Sequence, residues 1–113
     1  MSVNNIHEKL YDASVAGDVT RVTQLLKEGA QPDNYRYRWN YGVTALYVAA
    51  QNGHIDIAKI LIEAGADVNI QDNDGETALS KAPWNGHIDI AKSSEVKGQR
   101  RFSKMLYHFY RFE

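Results

Sequence analysis

Cysteine is missing from the whole chain, which removes disulfides, thiol catalysis and cysteine-ligated zinc together. Long apolar runs are missing as well. None approaches the roughly 18 residues that a membrane-spanning helix needs. The first ten residues, Met1 to Leu10, are polar and hold no apolar signal-peptide core, and no Asn-x-Ser/Thr sequon occurs. The expectation is a soluble protein of a reducing compartment, cytoplasmic or nuclear. Net charge is small, formally −1, so no bulk electrostatic argument points to nucleic acid or a membrane surface. A glycine-rich phosphate loop, a nucleophile motif and a paired-carboxylate constellation are all lacking. Nothing suggests an enzyme or a cofactor.

The 113 residues allow one domain, and 43% of them are hydrophobic, enough to build a packed core. Charge is unevenly placed. Residues 1–96 carry 8 Lys+Arg against 13 Asp+Glu, a net of −5, whereas residues 97–113 carry 5 against 1, a net of +4. An acidic body is followed by a basic tail.

An internal repeat organises the body. Gly42-Val-Thr-Ala-Leu46 returns as Gly75-Glu-Thr-Ala-Leu79, and Asn52-Gly-His-Ile-Asp-Ile-Ala-Lys59 returns unchanged as Asn85-Gly-His-Ile-Asp-Ile-Ala-Lys92. Both pairs share one offset. A fainter copy lies upstream. Leu10-Tyr-Asp-Ala13 answers to Leu46-Tyr-Val-Ala49, as Gly29-Ala30 answers to Gly65-Ala66, and here the offset is three residues longer. The connection between the first two units therefore carries three extra residues.

Each unit reads as two helices. Thr44 and Thr77 can each cap a helix start, because a threonine hydroxyl accepts from an orphan backbone N–H. Leu46, Ala49 and Ala50 follow at helical spacing until Asn52-Gly53, where glycine supplies a left-handed turn at low cost. A second helix carries Ile55, Ala58, Leu61 and Ile62 on one stripe and ends at Ala64-Gly65. Asp67 to Gly75 is extended and rich in turn residues. Leu46, Ala49, Ile55, Ala58 and Leu61 are the expected core.

Residues 39–71 resemble the ankyrin repeat through Gly42, Thr44, Leu46, Ala49, Ala50, Gly53, His54, Leu61, Gly65, Ala66, Asp67 and Asn69. They depart from the family pattern at Ala45, where proline is usual, and at Tyr47, where histidine is usual. The resemblance covers about residues 7–92. It implies an all-α fold, a solenoid of helix-turn-helix repeats, with about two and a half repeats and a C-terminal tail helix. It also implies a protein-protein interaction module. The expected organisation is a capping repeat with a long aromatic loop over 1–38, a full repeat over 39–71, an incomplete third over 72–92, and a basic aromatic tail over 93–113.

The two ends differ. Where the second unit has Ile57 and Ile60, the first has Arg21 and Gln24, the polar outer face that a terminal repeat needs. Val22, Leu25 and Leu26 keep its inward stripe. The third unit loses the pattern at Ser93-Ser94-Glu95, and Pro83 stands at the position of Ala50, where it removes a helix donor. The tail places Phe102, Met105, Leu106 and Phe109 at helical spacing, so a helix is expected over 100–111 with Phe102, Leu106 and Phe109 turned inward. Capping of the third unit, docking into a partner, contact with a membrane surface, and no native role all remain open for it.

Candidate binding residues follow partly from the resemblance. The family's interaction surface is its concave side, which here maps to Asn40, Tyr41, Val43, Gln51 and Asn52 in the second unit and to Asn73, Asp74, Glu76, Trp84 and Asn85 in the third. The first loop adds a signal of its own. Tyr35-Arg36-Tyr37-Arg38-Trp39-Asn40-Tyr41 is aromatic at every second position, with Trp39 where the family usually has aspartate. Tyr, Trp and Arg bury much area for few lost rotamers and dominate binding hot spots. The opposing reading is an aromatic hairpin packed on itself and on Trp84 or Tyr47. Stacking of single-stranded nucleic acid on the Arg-Tyr alternation is disfavoured by the acidic body. His54 and His87 lie one full repeat apart at a structural position of the family, so a metal is not expected. Asp72-Asn-Asp-Gly75 lacks the further acids that a calcium loop requires. The expected partner is another protein. The alternative is a truncated scaffold fragment with no binding of its own.

Overall fold

The computed structural model describes residues 5–83, 86 and 88–92. Side-chain caps decide where most of the helices begin. Asn5 Oδ1 accepts from the backbone N–H groups of His7 and Glu8, both at 3.1 Å, and opens α1 (Ile6–Ala16). Asp18 Oδ1 accepts from Arg21 N at 3.0 Å and opens α2 (Val19–Lys27). Thr44 Oγ1 accepts from Tyr47 N at 3.2 Å at the head of α3 (Ala45–Gln51). After α4 (Ile55–Glu63), Thr77 Oγ1 accepts from Ser80 N while Ser80 Oγ accepts from Thr77 N, and this reciprocal pair opens α5 (Ala78–Lys81). Each such bond satisfies a first-turn donor that has no partner inside the helix. A last helical stretch runs through 88–92.

The helix ends have equally local causes. Gly53 turns the chain from α3 into α4 at φ 79°, a conformation that costs a side-chain-bearing residue about 1–2 kcal/mol. Pro83 shortens α5 to four residues against the seven of α3. A proline disfavours the helical region for the residue before it, and Ala82 is extended at φ −76°, ψ 146°.

Helix packing builds two layers. α3 lies against both α1 and α5, and α2 lies against α4. The core runs through the layers as Leu10, Val22 and Leu25 of the first unit, Leu46, Ala49, Ala58, Leu61 and Ile62 of the second, and Leu79, Ile90 and Ala91 of the third. Burial of each large aliphatic side chain favours the folded state by about 1.5–3 kcal/mol. Among the described residues there is no strand, only an isolated antiparallel bridge between Tyr37 and Asn40. None of the described helices is long and apolar enough to cross a membrane.

Ile55 departs from the expected core, being only half-buried. It stands in the first turn of α4, and its Cδ1 occupies the space that a Cβ on Gly86 would need. It therefore covers the next unit's backbone, while Ile57 is fully buried. Arg21 and Gln24, the first-unit counterparts of Ile57 and Ile60, are both exposed; among the described helices, those packed on α2 are α1 and α4. The tail, with the helix expected over 100–111, lies outside the described residues.

Candidate interaction surface

The connection from α2 to α3 is held in shape from both ends. Tyr35 packs edge-to-face on Tyr11 of α1, with ring centroids 5.0 Å apart and an interplanar angle of 60°. Arg36 spans the loop, donating from Nε to the Asp33 carbonyl at 3.0 Å and from Nη1 to the Tyr41 carbonyl at 3.2 Å. The backbone closes into a small hairpin. Tyr37 N donates to Val43 O, Asn40 N to Tyr37 O and Val43 N to Asn40 O, all at 2.9–3.1 Å.

Side chains at the tip point away from this frame. Trp39 is 71% exposed, Tyr41 68% and Tyr37 41%. The Arg38 guanidinium lies 5.6 Å from the Trp39 ring centroid, within cation–π range. The Trp39 ring is thus left largely to solvent, whereas Tyr47 is buried.

Neighbouring loops tie the tip down. Asn40 Oδ1 accepts from Gly42 N at 3.3 Å and from Asn73 N at 3.0 Å, and Asn73 Nδ2 donates to the Trp39 carbonyl at 3.4 Å. Asp33 Oδ2 accepts from Asp67 N at 3.0 Å. Its Oδ1 is buried with no hydrogen-bond partner among the described residues, and desolvation raises the Asp33 pKa above the usual carboxylate value. Gly42 makes the approach of the loops possible, since a Cβ there would run into the Gln71 carbonyl and the Asp72 backbone.

The next loop is built around Asp72, which holds the place in its repeat that Trp39 holds in the one before. Asp72 Oδ1 accepts from Asp74 N at 2.8 Å and Glu76 N at 2.9 Å, while Tyr47 Oη donates to Oδ2 at 2.6 Å. The Tyr47 hydroxyl, followed by the backbone donors, holds the Asp72 carboxyl below the usual carboxylate range. Burial, followed by the bond to Asp72, raises the pKa of Tyr47.

The expected binding residues thus separate into two groups. Tyr37, Arg38, Trp39 and Tyr41 share one exposed tip, Asp74 is exposed on the adjacent loop, and Gln51 is exposed at the end of α3. Tyr35, Arg36, Asn40 and Asn73 spend polar or aromatic groups on holding the loops. Asn52 donates from Nδ2 to the Val15 carbonyl at 3.3 Å, which links the first two units. Trp84 and Asn85 lie outside the described residues. Sequence reasoning missed Tyr11, Asp33 and the Tyr47–Asp72 pair. The substitution of tyrosine for the family histidine was the one available signal for that pair.

This arrangement of paired short helices and projecting loops agrees with the family comparison. The family model for ankyrin repeats, in three copies, matches residues 10–93. The chain belongs to the ankyrin repeat family, whose members are protein-interaction modules. It is similar to mitochondrial disaggregase of Bos taurus, 44% identical over 64 residues, which are 57% of this chain and 9% of that protein. An ankyrin repeat protein of fowlpox virus is 35% identical over 74 residues, 66% of this chain and 10% of that protein. The 2-5A-dependent ribonuclease of Mus musculus is 43% identical over 58 residues, 51% of this chain and 8% of that protein. The chain spans about a tenth or less of the length of these relatives.

Proposed function

We propose that this chain is a non-catalytic module that holds another protein through loop 35–41 and the adjoining concave face. The observation that carries the reading is the exposure of Trp39 and Tyr41 on a loop whose backbone is already bound in place. An ordered loop loses little further entropy on binding, and each of these rings contributes large area for two rotatable bonds. Gln51 and Asp74 extend the contact as polar rim residues, with Asn52 next to Gln51 at the end of α3; Trp84 and Asn85, outside the described residues, are the sequence counterparts of Gln51 and Asn52 in the third repeat.

The test compares proteins captured by the wild-type chain with those captured by a Tyr37→Ala/Trp39→Ala/Tyr41→Ala variant of unchanged circular dichroism. The expected result is a partner retained by the first and lost by the second. The alternative, a scaffold fragment with no binding of its own, requires the same capture profile from both.

A further inference from the structure

We propose that the occupant of this tip is a short, extended peptide segment in which one side-chain carboxylate stands next to an apolar residue. This rests on the reading of loop 35–41 as a contact surface. Three features of the tip select that chemistry. The first is size. Given 150–250 Å² per aromatic side chain, the exposed parts of Tyr37, Trp39 and Tyr41 amount to roughly 400 Å². A stable dimer needs about 800 Å² from each partner, so a second copy of this chain is too large an occupant for the tip, whereas a few extended residues fit.

The second feature is charge. Arg36 is engaged with two backbone carbonyls. Arg38 is exposed, and among the described residues no carboxylate pairs with it; the ion pair seen there is Lys59–Asp89. Its guanidinium sits over Trp39 and keeps its planar fork of donors for a carboxylate. An apolar side chain beside that carboxylate then meets the exposed indole and phenol rings.

The third feature limits the charge of the occupant. Glu8 and Asp12 stand near Tyr35, Asp74 projects from the next loop, and the body carries a net of −5. A phosphate backbone, an anionic bilayer or a long acidic run is repelled by this surround. A single carboxylate on Arg38 is not.

The experiment selects peptides from a random display library on the full chain, then measures the enriched peptides by fluorescence anisotropy. Enriched peptides are expected to share an Asp or Glu beside an apolar residue. Arg38→Glu should weaken them about tenfold or more, with Arg38→Lys between the two. Replacing the peptide acid by Lys should restore binding to the Arg38→Glu variant. Peptides that depend on Trp39 but show no acidic preference overturn this inference and leave the loop as a contact surface. Peptides indifferent to both Trp39 and Arg38 overturn both readings. The peptide occupant is also overturned by an absence of enrichment, or by Arg38-dependent binding of oligo-dT or phosphatidylserine vesicles in its place.

Discussion

The loops around Trp39 and Asp72 stand one repeat apart and do different work. In the later loop the aspartate draws three donors onto its carboxylate, two from its own backbone and one from Tyr47. That loop is closed on itself and on α3. In the earlier loop the equivalent side chain is an indole, which can accept none of these bonds. Its structural work has passed to Asn40, Arg36 and the hairpin backbone, and the indole is left to solvent. A repeat can therefore leave one position without a structural hydrogen bond when neighbouring side chains take over its bonds.

The glycines of the two loops show the same division. Gly75 lies at φ 82° with open space where a Cβ would stand, so its reason is backbone conformation. Gly42 has no such conformation, and its reason is the backbone of the later loop pressed against it.

Four variants break or sharpen the comparison, in order of expected effect. Leu61→Ala removes a fully buried side chain of α4 in the core common to all units, and should cost about 2–5 kcal/mol in chemical denaturation. A loss under about 0.5 kcal/mol would show that the second unit is not the centre of the stack. Gly42→Ala should cost about 1–3 kcal/mol by forcing the two loops apart, and should broaden the amide signals of residues 71–73. If it cost no more than Gly75→Ala, the steric account of Gly42 would fail.

Tyr47→Phe removes the donor to Asp72 and should cost about 1–2 kcal/mol near neutral pH. The bond lowers the folded-state pKa of Asp72. Its stabilisation is therefore present above the ordinary carboxylate pKa and is lost as pH falls through the lowered value. The gap between wild type and Tyr47→Phe should close in acid; a gap that widened there would contradict the assignment. Trp39→Ala should have the smallest effect, within about 0.5 kcal/mol, because the ring packs on so little of its own chain. A larger loss would mean that the indole is a structural group, as Asp72 is.

Much of the stack was legible because its causes are local. Thr44 and Thr77 announce helix starts within a single turn, and Pro83 announces an early end at its immediate neighbour. Burial was legible where the stripe faces its own helix partner, as at Leu46, Ala58 and Leu61. It failed at Ile55, since helical spacing does not reveal that Gly86 of the following unit offers that side chain a seat. The exposed and the tying members of loop 35–41 could not be separated either. Tyr35 and Tyr37 are the same residue type two positions apart. Yet Tyr35 is half-buried against Tyr11, on a helix of the first unit, and Tyr37 is exposed.

The sequence by itself determined the repeat period, the helix pairs it encodes, the family and the unusual chemistry of the first loop. Caps, stops and apolar spacing act over a few residues, so they can be read along the chain. Only the tertiary structure decided that Trp39 faces solvent, that Asn73 holds its carbonyl, and that Tyr47 is bound to Asp72. Those contacts join residues 25 and 34 positions apart. They exist because stacking the units brings successive loops within hydrogen-bond distance, a proximity that no local pattern contains.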